Sequence, residues 1–528
     1  MHKFILTIFV LIIGVNIQAQ SDKSTYKKLD KALELIETKY IDTVNSADLA
    51  TKAVQAMIKE LDPHSKYLSP DDLKTNRESL NGSFAGIGIH YQIINDTLMI
   101  LNTVKGGPSY KAGLKAGDRI LKIDGVIATG KDISNKYFSK KLRGKKGEEL
   151  SITIKRHSDS KVQKITFERG SIALNTVEIS YMIDNKTGFI RIKNFSRTTN
   201  YEFQLAVMQL QMQGMKNIII DLRDNPGGLM MSSIRLSDDF LSGDKLIVYT
   251  QGTNLPRTDY KSNGGGMMES GRVVILIDNN SASAAEIFAG ALQDWDRALI
   301  VGRRSFGKGL VGRNYDLPDG SAIRLTTGRY YTPSGRCIQK EYTKGDKKSY
   351  DNDLLERFEH GELYSADSVH FDDSLKYYTN GKRLVYGGGA IMPDIFIPLD
   401  TTYNNDFIKD TRKKGLINYF AGNYFDKNLD ELNAKYPSFE SFNTTFVLPE
   451  ETYQNYIDYA AKKYELTPNE EDKELINHYI RLQITAILAR SLYKDGAYYK
   501  IYNKEDKMVI NALNTINDKK IFKENGIQ

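Results

Sequence analysis

From Gly188 onward, short apolar strand segments alternate with helical ones, and this order constrains the fold more tightly than any other feature of the chain. Gly188–Phe195 reads as a strand, Asn200–Gln213 as a helix, and Asn217–Leu222 as a β-branched buried strand. A tight loop, Asp221 to Gly228, then opens the helix Leu229–Leu241. Strand Val273–Ile277 leads into the helix Ala284–Asp294, and strand Ala298–Val301 leads into a glycine-rich loop. Alternation of this kind belongs to α/β folds, in which helices cover a mostly parallel sheet.

Two residues in these loops carry the chemistry. Ser283 lies in Asn279-Asn280-Ser281-Ala282-Ser283-Ala284-Ala285-Glu286, and Lys308 lies in Ser305-Phe306-Gly307-Lys308-Gly309. A serine hydroxyl is a weak nucleophile near neutral pH and needs a base. A lysine serves as that base when burial disfavours its ammonium form. The same residues admit plainer roles. Ser283 and Glu286 fit a capping box that merely starts a helix, and Lys308 is then one solvated lysine among many. A phosphate-binding loop is excluded. Such a loop needs Ser or Thr after its lysine, and Gly309 stands there. The turn Asp316 to Gly320 follows where a helix N-terminus would have to face the phosphates.

Composition narrows the class. The chain has 528 residues, enough for several domains, and a net charge of +7, which is mild over that length. There is no long basic block with interleaved aromatics, so nucleic acid is not implied. The N-terminus has the form of a secretory signal: His2 and Lys3 precede the apolar run Phe4–Val15, with cleavage expected after Ala19. The mature chain is expected to be exported, periplasmic or otherwise extracytoplasmic. Cys337 is the only cysteine, so no internal disulfide forms. No metal-ligating pattern and no cofactor motif are present, and none of the histidines shows a local catalytic signature.

Organisation follows from changes in period. Residues 20–80 read as a helical N-terminal region, with Leu29, Leu33, Ile36 and Tyr40 on one helix face and a second helix ending at Asp62-Pro63. Residues 81–172 read as strands with one helix, Ile133–Leu142. Residues 173–340 with 386–400 form the α/β unit, 341–385 a polar insertion, and 401–528 charged, tyrosine-rich helices.

The segment Ala112-Gly113-Leu114-Lys115-Ala116-Gly117-Asp118-Arg119-Ile120, with Phe84-Ala85-Gly86-Ile87-Gly88-Ile89 before it, resembles a PDZ domain. That resemblance implies that a peptide tail pairs with the Ile87–Tyr91 edge. Its carboxylate would be held by backbone N–H groups near Ala85, Gly86 and Ile87, with Gly88 and Ile89 alongside. A structural β-turn without a ligand is the plainer alternative. Taken with Asn225-Pro226-Gly227-Gly228, Leu292-Gln293-Asp294 and Phe306-Gly307-Lys308-Gly309, the whole resembles the carboxy-terminal processing peptidases, also called tail-specific proteases. The resemblance implies a multidomain α/β protein: helical N-terminal region, PDZ domain, crotonase/Clp-like protease core and helical C-terminal extension. It implies Ser283 as nucleophile, Lys308 as general base and Asp294 as a supporting acidic residue.

Acyl transfer also needs donors for the oxyanion. The Ala284 N–H at a helix start and that of Gly227 or Gly228 are the candidates. Two positions depart from the family. Ala285 stands where relatives often carry Ser. A Gln that orients the lysine in many relatives is Gly312 here. The expected function is an exported serine endopeptidase acting on proteins with apolar C-terminal tails. A weak or inactive tail-binding adaptor is the alternative. A homo-oligomer or an activating partner stays open.

Overall fold

The computed structural model describes residues 23–370 and 372–527, so the leader expected at 1–19 lies outside the described residues. Helix α1 (Lys23–Lys39) leads to α2 (Ser46–Lys59), which starts where the Asn45 side chain accepts the Asp48 N–H. The chain then turns at Asp62-Pro63 into a short strand, β1 (Lys66–Leu68), and helix α3 (Pro70–Asn81). Proline at the first turn of α3 and left-handed Gly82 at its end (φ 73°) mark its limits.

Strands β2 (Ser83–Gly86), β3 (Ile89–Ile94) and β4 (Thr97–Thr103), the one-turn α4 (Pro108–Lys111), β5 (Arg119–Ile123), β6 (Val126–Ile127), α5 (Asn135–Leu142), β7 (Glu149–Lys155), β8 (Val162–Glu168) and β9 (Gly170–Ala173) build the next unit. Its antiparallel sheet runs β3-β4-β5-β7-β8. In β7, Leu150, Ile152 and Ile154 are buried and alternate with more exposed residues, the period-2 pattern of a half-buried strand. They pack with Phe138 and Leu142 of α5. β3 lies at the edge of this sheet, so one side of its backbone has no strand partner among the described residues.

The α/β unit contains β10 (Val177–Met182), β11 (Thr187–Ile192), α6 (Thr199–Met212), β12 (Asn217–Asp221), α7 (Met230–Asp238), the hairpin β13 (Leu246–Gly252) and β14 (Leu255–Lys261), β15 (Val273–Ile277), α8 (Ala284–Asp294), β16 (Leu299–Gly302), β17 (Leu310–Asp316) and β18 (Ala322–Tyr331). Helix α9 (Lys347–Glu359), the pair β19 (Lys376–Tyr378) and β20 (Leu384–Tyr386), and β21 (Ile395–Phe396) follow. The main sheet runs β10-β11-β12-β15-β16-β21 and is parallel from β11 onward. A second, antiparallel sheet runs β1-β18-β13-β14, with β17 also on β18. Helix α8 is buried at every residue because it packs against both β13 and β16.

The C-terminal helices do two jobs. Helices α10 (Asp406–Lys413), α11 (Leu416–Lys435), α12 (Phe439–Thr445), α13 (Glu450–Tyr464), α14 (Lys473–Tyr493) and α15 (Asp495–Tyr502) share a core that also takes in Ile94 and Met99 from β3 and β4. An Arg119–Asp426 ion pair of 2.5 Å adds to that junction. Helices α16 (Lys507–Asn517) and α17 (Lys519–Glu524) instead return to the main sheet. Ile218 and Ile220 of β12 face α8, while Ile219 faces α16. This alternation explains why the three central residues of β12, Ile218 to Ile220, are all apolar: both faces of the strand are covered. Apolar periodicity reveals that 401–528 is helical but not which surface each helix covers.

Candidate active site

Ser283 begins α8 in a strained backbone conformation, φ 56° and ψ −113°. A non-glycine residue held there costs about 1–3 kcal/mol and persists only where its surroundings over-determine it. Those surroundings are visible. The Ser281 hydroxyl donates to the Leu222 carbonyl, and the Ala282 N–H donates to the Asn225 carbonyl. The serine loop is thereby fastened to the Asn225-Pro226-Gly227-Gly228 loop. Asn225 is itself fully buried, donating to the Ile192 carbonyl and accepting the Gly227 N–H at 2.8 Å.

Glu286 joins the two catalytic loops. It completes the capping-box pattern by accepting the Ser283 N–H at 2.7 Å on Oε2. The same oxygen accepts the Lys308 N–H at 2.9 Å. Oε1 accepts the Ser305 hydroxyl at 2.5 Å and the Gly307 N–H at 2.7 Å. Burial pushes the Glu286 pKa up, and these four donors oppose that shift. All four present hydrogens to the carboxylate, an arrangement that suits the anion. Tyr330 adds a second bridge, its buried hydroxyl sharing its one hydrogen between the carbonyls of Ser283 and Lys308. Sequence reasoning saw only the helix-capping role of Glu286 and missed Tyr330. The signal for Glu286 was present, since a capping box beside a nucleophile fixes the nucleophile's backbone as well as the helix.

The Ser283 and Lys308 side chains line one cavity of about 820 Å³, together with Gly227, Gly228, Gly312 and Tyr330. Burial holds the Lys308 pKa below its ordinary value, and the positive charges of Arg324 and Lys66 add to the effect. Glu286 and Asp62 pull it back up. Gly227 and Gly228 have φ of 93° and 143°, values that side chains rarely adopt. A Cβ on Gly227 would lie 2.8 Å from both the Ala284 nitrogen and the Ser283 Cβ, which places this glycine directly against Ser283. Because the Gly227 N–H is already given to Asn225, the donors without a hydrogen-bond partner among the described residues are those of Gly228 and Ala284.

Two chain segments without catalytic signatures also reach the cavity. The loop after α2 contributes Pro63 and His64, the start of β1 contributes Lys66, and α9 from the polar insertion contributes Lys347, Tyr350 and Asp351. The His64 ring bonds the Tyr350 hydroxyl at 2.8 Å. Burial, then the charge of Lys308, lowers the His64 pKa to about 3, so the ring is neutral at ordinary pH. Asp62 holds the loop by accepting from the His64 and Ser65 N–H groups and from the Ser65 and Thr326 hydroxyls. Asp294 lies elsewhere. It sits at the far end of α8, roughly 16 Å along the helix from Ser283, where it pairs with fully buried Arg336 at 2.8 Å and accepts the Ser334 N–H. This position ties α8 to the 334–336 turn and is remote from the cavity.

Gly312 sits at a bulge in β17, opposite Thr326. Its backbone is not left-handed, and a Cβ there would touch Arg324 Cγ and Cδ at 3.4 Å, an ordinary contact. The Arg324 side chain thus crosses the space beside the missing Gln. In the PDZ-like unit, Ala85 and Gly86 pair with Ser171 and Gly170 of β9, while Ile87 and Gly88 link that ladder to the open edge strand β3. Ile89 and Tyr91 of β3 pack with Ile133, Tyr137 and Phe138 around α5, forming the side wall of the edge.

A peptidase core bearing a nucleophile loop, a buried lysine and an appended PDZ-like unit defines a class of serine protease. Comparison with known proteins agrees. Residues 186–349 match a family model described as peptidase family S41, and residues 85–168 match one described as a PDZ domain. Residues 14–72 match an activating protease CtpB N-terminal domain, and 407–495 match a family of unknown function. A carboxy-terminal-processing protease of Bartonella bacilliformis is 34% identical over 344 residues, spanning 63% of this chain and 78% of its own length. A probable CtpA-like serine protease of Staphylococcus aureus is 32% identical over 337 residues, which cover 63% of this chain and 66% of that protein. A solved photosystem II D1 C-terminal processing protease is 27% identical, covering 60% of this chain and 85% of its own with a TM-score of 0.35. The chain belongs to the carboxy-terminal-processing protease family of S41 serine peptidases.

Proposed function

We propose that this enzyme is an exported endopeptidase that holds the C-terminal tail of a protein substrate in its PDZ domain and cleaves the polypeptide through an acyl-enzyme on Ser283. The observation that carries the reading is the Glu286 carboxylate, whose one oxygen takes the N–H groups of both Ser283 and Lys308 at the wall of a shared cavity. Neutral Lys308 Nζ takes the proton from Ser283 Oγ as that oxygen bonds to the scissile carbonyl carbon. The N–H groups of Gly228 and Ala284 receive the oxyanion, aided by the partial positive charge at the start of α8. The lysine ammonium then gives its proton to the leaving amine, and the C–N bond breaks. Water, deprotonated by the same amine, releases the acyl group and restores the serine. The depressed Lys308 pKa supports this role, because a base must be unprotonated to act.

The PDZ part of the reading rests on the open edge of β3 and the Ile87–Gly88 link before it. An apolar tail would add as a strand, with its carboxylate at that link. The test is degradation of an unfolded protein by the purified chain. Ser283→Ala and Lys308→Ala are each expected to remove nearly all turnover while leaving tail affinity unchanged. Folded Ser283→Ala protein that still cleaves overturns the nucleophile assignment. A second reading, an adaptor that binds tails without turnover, draws on Gly312 and on the absence, among the described residues, of a side-chain partner bonded to the Lys308 amine. It predicts tail binding with no cleavage by the unmodified chain.

A further inference from the structure

The cavity that holds Ser283 is walled by cations that form no ion pair among the described residues. Lys66 comes from β1, Arg313 from β17, Arg324 from β18 and Lys347 from the first turn of α9, so four separate segments of chain converge there. Among the described residues none of these four forms an ion pair. Arg324 is half-buried, yet its guanidinium is held by two neutral acceptors, Asn314 Oδ1 at 2.8 Å and Asn76 Oδ1 at 2.7 Å. Among the described residues, the one carboxylate in the wall is Asp351. Asp62 and Glu286 stand behind the wall, with their oxygens already taken by N–H and O–H donors. A substrate entering the cavity therefore meets cationic groups.

We propose that the catalytic cavity recognises a carboxylate on the peptide, so that the enzyme favours substrates with an acidic group close to the scissile bond. This rests on the protease reading above and gives it a substrate class. The physical reason is the state of Arg324. A guanidinium withdrawn from water without a counter-charge is costly, and burial already pushes its pKa down. A carboxylate supplies the missing charge through a planar, two-point contact. The two asparagines fix the guanidinium in advance, so little further ordering is required when the anion arrives. Lys66 and Lys347 extend the positive field toward the opening and attract the same group over a longer range. The carboxylate has two sources: an Asp or Glu side chain beside the scissile bond, or the α-carboxylate of a chain end lying in the cavity.

The experiment uses the full chain and a set of peptides of one length. Three are amidated at the C-terminus and carry Asp and Glu, their amides, or Lys around the cleavage point; a fourth has neutral side chains and a free carboxylate. The kcat/KM is measured for each, and binding is measured with Ser283→Ala protein. The acidic peptide is expected to exceed its amide counterpart by about tenfold or more at low salt, and the ratio should narrow as salt rises. In Arg324→Gln and Lys347→Gln proteins it should fall toward one. A preference for the free-carboxylate peptide that also falls in these variants assigns the chain end to the cavity. One that survives them belongs to the PDZ edge. Equal cleavage of acidic and amide peptides, or an acidic preference unchanged by both variants, overturns the proposal and leaves the protease reading intact. Variant-sensitive acidic binding with no cleavage of any peptide does the reverse. Neither cleavage nor selective binding overturns both.

Discussion

Replacing Glu286 by Gln tests whether one buried carboxylate organises both catalytic loops. Four donors converge on it, two per oxygen. In Gln one oxygen becomes an NH₂ group that cannot accept, so two donors lose their acceptor. A hydrogen bond to a charged group contributes about 1.5–3 kcal/mol, so the gross loss is roughly 3–6 kcal/mol. Removing a buried charge returns part of its desolvation cost, which is real here because burial already raises the Glu286 pKa. The net weakening is then about 2–4 kcal/mol, concentrated in the two loops. Amide hydrogen exchange reads this locally: the segments containing Ser283 and Gly307–Lys308 should exchange roughly 30-fold to 1,000-fold faster, while β12 and β15 hold their protection. Turnover should fall by at least about tenfold, since misplacement of a nucleophile and its base acts directly on the reacting geometry. Unchanged exchange in both segments with unchanged kcat/KM would refute the reasoning.

Other outcomes follow from the same geometry. In the proposed mechanism Lys308 acts unprotonated, so kcat/KM should fall as pH drops through its depressed pKa; Arg324→Gln removes a repelling charge, raises that pKa and moves the acid limb to higher pH. An acid limb that stays in place in this variant argues against the electrostatic link. Gly312→Gln places its Cβ in ordinary contact with Arg324 and no backbone strain opposes it, so turnover should rise by about several-fold as the lysine gains a partner; lower turnover at an unchanged Tm shows that the site is arranged differently. Gly228→Ala puts a Cβ 2.0 Å from the Phe195 carbonyl oxygen at φ 143°, so the protein should lose both stability and turnover, and a wild-type melting curve contradicts this. A tail peptide should bind more weakly when its C-terminus is amidated, as measured by calorimetry with Ser283→Ala protein; equal affinities exclude carboxylate capture at the Ile87–Gly88 link.

Sequence alone was enough for the elements whose signals are local. Strand β15 and helix α8 lie at Val273–Ile277 and Ala284–Asp294, where the pattern puts them, because a short continuous apolar, β-branched run and the helical spacing of Ile287, Phe288, Ala291 and Leu292 are both written in consecutive residues. Ser283, Lys308 and the glycine loop were legible for the same reason, each being a short run of unusual residues. What brings residues together across the chain was not legible. The cavity needs Lys66 from an N-terminal strand paired with β18, Lys347 from an insertion that reads as merely polar, and Arg324 crossing Gly312 from the next strand. Helices α11 and α16 both fall in a stretch that reads only as charged, tyrosine-rich helices, yet one packs with the PDZ sheet and the other on the protease sheet. Asp294 and Glu286 are both acidic residues of α8, but only the tertiary structure separates the one that meets Arg336 from the one that holds the catalytic loops. Local periodicity specifies which residues are helix or strand. Burial, charge pairing and the partner of each carboxylate depend on contacts between segments far apart in sequence, and those exist only once the chain has closed on itself.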